Sequence, residues 1–185
     1  MGTTRLNRLR FTPLWQTIQP LQRQFIRCAL LSMLVWFGVD FCLPLDPPLT
    51  TFIVKTSQWM TGFFLSVAPQ VTQKTMPFEG FTMHDATTTM NIAHSCNGKA
   101  ILFLFTAFLW AMPRQPWTKR LTYSLVGFIT LSMANSIRIA ALFLISKNLP
   151  HWFGFFHHTL FQLAMYALMF MLWMLYLRKK TLLSR

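Results

Sequence analysis

Residues 91–112 read NIAHSCNGKAILFLFTAFLWAM. His94, Ser95, Cys96, Asn97 and Lys99 stand directly before an apolar run, so reactive side chains gather where a chain would enter a membrane. A thiol with an ordinary pKa of about 8.5 is mostly protonated at neutral pH, and a cation or imidazole beside it favours the thiolate that attacks a carbonyl. Two residues further along the chain are of the types this chemistry needs. Arg138, always charged and rich in donors, suits an oxyanion or a thiolate. His157 can take the thiol proton and later hand one to a leaving amine. Asn135 falls three residues before Arg138 on the same helical face, where its amide can orient the guanidinium or a peptide. Gly98 lets backbone approach closely at the helix start, where free N–H groups favour a negative charge.

The elements that must bring these residues together are membrane helices. The chain of 185 residues is 54% hydrophobic, 16% aromatic and only 11% charged, with a mean hydropathy of +0.41, and its apolar residues fall in blocks. That describes an all-α integral membrane protein crossing the bilayer several times. The formal charge of +13 does not imply nucleic acid, because the basic residues sit beside apolar segments and form no single patch.

Three apolar runs are clear, at about 28–45, 121–145 and 153–177. A fourth, Ala100 to Met112, reaches the length of a span if the HSCNGK approach counts as interfacial. Residues 51–67 carry Lys55, Ser57, Gln58 and Thr61 among apolar positions Phe52, Trp59, Phe63 and Val67 at near-helical spacing, which predicts an amphipathic helix at the interface. If that helix does not cross, twelve of the seventeen basic residues share one side: Arg5, Arg8, Arg10, Arg23 and Arg27, then Arg114, Lys119 and Arg120, then Arg178, Lys179, Lys180 and Arg185. The bias names that side as cytoplasmic and gives a bundle of about four transmembrane helices with both termini inside. The N-terminal run starts only after 27 residues and lacks a small-residue cleavage pattern, so it reads as an anchor. Residues 1–27 form a basic cytoplasmic tail, 28–177 the membrane-embedded domain, and 178–185 a second basic tail. Between about 70 and 95 the Thr-rich segments GFTM and TTTMNIAHS predict a short extracytoplasmic hairpin.

Depth follows from helix rise. A hydrocarbon core of about 30 Å takes about 20 helical residues, so a helix entering near Thr122 reaches the outer boundary near residue 141. Arg138 then lies about one turn below the outer surface, at a depth similar to that of Cys96 and His157.

SCNG, then NSIRI about 40 residues later, then FHHTLF at the opening of the last helix resemble the Cys, Arg and His motifs of the exosortase and archaeosortase family of membrane cysteine transpeptidases. One anchor helix, an interfacial helix and a polar hairpin before the Cys are also similar to that family, over about residues 28–177. The resemblance implies Cys96 as nucleophile with Arg138 and His157 as its partners, acting on the outer side of the cytoplasmic (inner) membrane by a thioacyl-enzyme mechanism. Its implied substrates are exported proteins with a C-terminal motif, a transmembrane helix and a basic tail, and the acyl group passes to an acceptor amine or to water. No cofactor is called for. The chain departs from the pattern at Cys96-Asn97-Gly98, where many members read Cys-Ser-Gly, and at His158, where many carry an acidic residue. The base is assigned to His157, which follows Phe156 as in the family, with His158 the alternative.

Other readings stand beside this one. Cys42 also lies near the outer face, and an oxidising exterior would permit a Cys42–Cys96 disulfide. A non-enzymatic membrane assembly factor would use the polar cluster to fix helix packing. A metal or haem protein would use His151, His157 and His158. On an extended segment His94 shares the face of Cys96 while Ser95 points away, and both are read as hairpin or cap residues. Lys99 is expected to snorkel to the outer headgroups. An idle Arg138 in an apolar helix would cost about 2.5–3.5 kcal/mol to insert at the bilayer centre, which argues for a function.

This topology predicts that a cysteine at Thr88 is labelled from outside in intact cells and one at Gln115 is not. Labelling of Gln115→Cys from outside would refute this topology and, with it, an active site on the outer side.

Overall fold

The computed structural model describes residues 12–42, 46–65, 68–74, 80–112 and 115–178. In chain order these form α1 (Thr12–Cys42), α2 (Asp46–Phe64), β1 (Gln70–Lys74), β2 (Gly80–His84), β3 (Thr89–Ala93), a 3₁₀ turn (His94–Asn97), α3 (Lys99–Ala111) and α4 (Trp117–Asn148). A second 3₁₀ turn (Pro150–Trp152), the single helical turn α5 (Phe153–Phe155), a π-helical turn (Phe156–Leu160) and α6 (Phe161–Arg178) complete the chain.

The 32-residue α4 organises the rest. At 1.5 Å per residue it is about 48 Å long, well beyond a hydrocarbon core of about 30 Å, so part of it needs cover outside the membrane. Two hydrophobic clusters stack along it. One, called outer after the expected topology, joins Ile139, Leu142 and Phe143 of α4 to Ile53 and Val54 of α2 and to Phe81, Met83, Met90 and Ile92 of the sheet. The inner one joins Leu131 to Leu102, Phe105 and Leu109 of α3 and to Met165, Met169, Leu172, Trp173 and Tyr176 of α6. Between them the buried stripe of α4 turns polar at Ser132, Asn135 and Ser136.

Helix α2 opens with Asp46, Pro47 and Pro48. Proline lacks an N–H, but first-turn N–H groups have no intrahelical acceptor, and a carboxylate there complements the helix dipole. Its buried stripe is Thr50, Ile53, Val54, Ser57 and Thr61. The small residues allow close approach to α4, with Ser57 Oγ 3.0 Å from the Ser136 carbonyl. The opposite face holds Trp59, 72% exposed, and Phe63, 82% exposed. An amphipathic helix was expected here, and its aromatic stripe points away from the protein, as an interfacial helix requires. Val67 lies outside the described residues.

The expected hairpin is β2 and β3, paired antiparallel from Gly80↔Ala93 to His84↔Thr89. A third strand, β1, adds antiparallel to the far side of β2, so the fold is helical with a small sheet and not all-α. QVTQK alternates only weakly, which is why it carries no strand signal of its own. Alternation on β2 and β3 turns Phe81, Met83, Met90 and Ile92 onto the outer cluster. At the β2–β3 turn Asp85 Oδ1 accepts from the Thr87 and Thr88 N–H groups at 2.8 Å, and Lys147 of α4 donates to Asp85 Oδ2 at 2.7 Å.

Of the four expected spans, two pass a test of length and apolarity among the described residues. Trp117–Asn148 and the segment Pro150–Arg178 are long and apolar enough to cross a membrane. The third expected span is only the 13-residue α3, because HSCN, counted as its approach, winds into a separate 3₁₀ turn. The first apolar run enters α1 as far as Cys42, with 43–45 outside the described residues, and α1 begins at Thr12, so the described part of the expected tail is helical. Arg5, Arg8, Arg10, Arg114, Lys179, Lys180 and Arg185 lie outside the described residues. At the other end of α4, Arg120 Nη2 donates to the Met112 carbonyl at 2.8 Å and Lys119 Nζ to the Tyr176 carbonyl at 3.2 Å, tying α3 and α6 to α4.

Gly127 admits α3 to α4: a Cβ there would overlap the Phe105 ring, whereas a Cβ on Gly38 of α1 meets nothing within 4 Å. Gly127→Ala is therefore expected to destabilise the protein in detergent by about 1–3 kcal/mol. Gly38→Ala should raise the thermal midpoint slightly through helix propensity, and equal effects of the two would refute this packing.

Candidate active site

Strand β3 runs without interruption into the 3₁₀ turn that carries Cys96, and Gly98 ends that turn with φ +77°. That left-handed conformation favours glycine. It also lets α3 start at once, since the Gly98 carbonyl accepts from the Ile101 and Leu102 N–H groups, both at 3.1 Å. An added Cβ at Gly98 would sit 3.3 Å from the Asn135 amide. Gly98 is thus required both by its backbone and by its neighbour.

Asn135, 1% exposed, bonds in two directions. Its Nδ2 donates to the Cys96 carbonyl at 3.0 Å, and its Oδ1 accepts from Arg138 Nη1 at 3.2 Å. The guanidinium on α4 is thereby linked to the backbone of the Cys96 turn through one amide. Arg138 Nε is buried without a hydrogen-bond partner, so one donor of the fork remains unused. Cys96 is a free, half-buried thiol, and the side chain of Cys42, its partner in the disulfide reading, lies outside the described residues.

The turn is held from its other side by α2. Asn97, 2% exposed, donates to Asp46 Oδ1 at 2.8 Å, and its own Oδ1 accepts from the Lys99 N–H at 2.9 Å. Lys99 Nζ lies 2.6 Å from Asp46 Oδ2. The expectation that Lys99 reaches for headgroups is therefore corrected: Asp46, at the start of α2, offers a nearer partner. Burial opposes the charge on Asp46, but the hydrogen bonds from Lys99 and Asn97 outweigh it and hold the carboxyl below its usual range. His94 Nδ1 is 2.8 Å from Thr50 Oγ1. The segment is a 3₁₀ turn and not extended, so His94 packs toward α2, while Ser95 is exposed; both act as turn residues here. Sequence reasoning missed Asp46, Thr50 and the anchoring role of Asn97. The signal for Asn97 was its place before Gly98, where a short amide commonly satisfies turn backbone.

The last chain segment reaches the same layer. Phe153, Phe156 and Phe161 pack on the outer cluster, as Cys96 does. His157, half-buried, stacks on Phe153 with ring centroids 5.6 Å apart and planes 8° from parallel. It lies within electrostatic range of Arg138. Its hydrogen-bonding neighbour is His158, with Nδ1 3.3 Å from His158 Nε2, and it makes no hydrogen bond to the Cys96 thiol. His158 is exposed. Both occupy the π-helical turn Phe156–Leu160, a widened turn of a kind common at functional sites. Among the described residues no group of three His, Cys, Asp or Glu side chains converges, so the metal reading finds no ligand set there.

A mostly helical chain with two helices long and apolar enough to cross a membrane fits the class of integral membrane proteins. The chain matches the family model of transmembrane exosortases (Exosortase_EpsH) over residues 14–175, and it belongs to that family. It is accordingly a membrane protein of a family that acts in the sorting of exported proteins. No curated protein and no solved structure matches it.

Asn135→Leu removes both amide bonds at nearly constant volume. The variant is expected to lose about 1–3 kcal/mol of stability in detergent, the penalty for stranding buried polar groups, and to change the alkylation rate of Cys96. If both quantities stay at wild-type values, the amide does not hold the turn.

Proposed function

We propose that this protein is a membrane-embedded cysteine peptidase or transpeptidase that processes the C-terminal sorting signal of exported proteins on the outer side of the cytoplasmic membrane. The observation that carries the reading is the hydrogen-bonded path from the Cys96 backbone through Asn135 to Arg138, in a chain that matches the exosortase family along most of its length.

Chemistry follows from the residue types. The Cys96 thiol gives its proton to His157 and its sulfur attacks the scissile carbonyl, forming a C–S bond and an oxyanion. Arg138 donates to that oxyanion, with the buried Nε as its spare donor. Collapse breaks the C–N bond, and His157 returns the proton to the leaving amine, which departs with the transmembrane helix and basic tail. Water or an acceptor amine then attacks the thioester, its proton passes to His157, and the thiol is restored. Closure of His157 on the thiol accompanies substrate binding, since catalytic hydrogen bonds are often long before the Michaelis complex forms.

The competing reading is an assembly factor whose polar cluster only fixes packing, and the Asp46–Asn97–Lys99 network favours it to the extent that it braces the turn. Co-expression with a signal-bearing reporter, read as a size shift, separates the two. Cys96→Ala should abolish the shift at unchanged membrane abundance, and retained processing would leave the assembly reading. Arg138→Lys keeps charge but loses the donor fork, so processing should fall by about 10²–10³-fold, the scale for one lost oxyanion donor. His157→Ala should abolish processing and His158→Ala should spare most of it; the reverse pattern moves the base to His158.

A further inference from the structure

Among the described residues the main-chain groups of β3 are only half used. The Asp85 N–H donates to the Thr88 carbonyl at 2.9 Å, which marks 85 and 88 as a hydrogen-bonded pair. With the register Phe81↔Ile92 and Met83↔Met90, bonded pairs alternate along an antiparallel ladder, so Met90 and Ile92 bond to β2. The N–H and C=O groups of Thr89 and Asn91 then point to the other edge, as does the Ala93 N–H. No strand lies beyond β3 in the sheet order, and among the described residues no other hydrogen bond reaches these groups. Thr89 and Asn91 are also exposed. Open edges are commonly blunted by lysine or proline. Strand β3 has neither, whereas Lys74 ends β1 and Pro69 precedes it.

The direction of this edge is set by two contacts on α4. The turn before β3 is pinned to Lys147, and the turn after it to Asn135. Those residues are twelve apart, about 18 Å of helix, and five residues of strand cover about 17 Å. Strand β3 therefore descends from the outer end of α4 toward the membrane and delivers the chain to Cys96 three residues after Ala93. A polypeptide approaching its own transmembrane helix from outside runs the same way.

We propose that the free edge of β3 binds the extended segment that precedes the cleavage point of the sorting-signal protein, which adds to the sheet as a parallel fourth strand. This rests on the catalytic reading above. The edge continues without a break into the cysteine turn, so a peptide in register with Thr89, Asn91 and Ala93 presents its next carbonyl to Cys96 and to the unpartnered Nε of Arg138. Recognition by main-chain bonds reads extended conformation, with alternate side chains pointing away from the sheet's buried face.

The test uses the purified full-length protein and the sorting segment of the reporter that it processes, synthesised with one N-methylated peptide bond at a time over the eight or so residues before the cleavage point, a length a little beyond that of β3. The expected result has period two: methylation at alternate positions raises KM by at least about tenfold with kcat little changed, and the positions between are tolerated. Thr89→Pro and Asn91→Pro, which remove outward N–H groups without breaking the β2 ladder, should raise KM likewise, while Cys96 alkylation stays at the wild-type rate. Val71→Pro, on the far edge of β1, should leave KM unchanged. An N-methyl scan without alternation overturns the strand-addition proposal, whether or not the proline variants fold. A wild-type protein whose processing does not depend on Cys96 overturns the catalytic reading itself and is recognised before the scan begins.

Discussion

One side chain holds the candidate site together. Asn135 is buried in the middle of α4, and its amide has a donor and an acceptor that must both be used at that depth. The donor goes to the Cys96 carbonyl and the acceptor to Arg138. The same amide touches the surface that only glycine leaves open at residue 98. A left-handed turn, a half-buried thiol and a guanidinium on α4 are thus fixed relative to one another by a single amide and the absence of one methyl group.

The two hydrophobic clusters explain why that amide can sit where it does. A polar stripe of Ser132, Asn135 and Ser136 would be costly facing lipid. It falls where the inner cluster ends and the outer begins, and there α2 and the 3₁₀ turn supply partners. Ser57 meets Ser136, and Asp46 takes both Asn97 and Lys99. The brace from α2 and the brace from α4 grip the turn from opposite sides. An isolated exposed ion pair contributes little, but Lys99 with Asp46 shares its carboxylate with the buried Asn97, so the pair belongs to a network that positions backbone.

The sheet gives the outer half of α4 its cover and gives the cysteine its approach. Lys147 and Asp85 fasten one end, where the Lys147 hydrogen bond and the turn N–H groups keep the Asp85 carboxyl well below its usual range. The other end is the cysteine turn itself. The cysteine turn thus lies where the sheet meets the helices, with Cys96 half-buried against the cluster that joins them.

Blocks of apolar residues, the helical spacing of Asn135 and Arg138, and the Thr-rich strands around Phe81 and Ile92 were legible in the sequence because they depend on local periodicity and composition. So was the resemblance to the exosortases, a family to which the chain belongs. The sequence could not show β1, since QVTQK pairs only because β2 offers it an edge. Nor could it show that HSCN winds away from α3, that Lys99 turns from the headgroups to Asp46, or that Asn97 and Thr50 brace the turn. Those outcomes depend on partners about 50 residues away in the chain. Apolar burial is written into residue type, whereas the choice of partner by a buried polar group is decided only when the tertiary fold brings candidate donors and acceptors within about 3 Å.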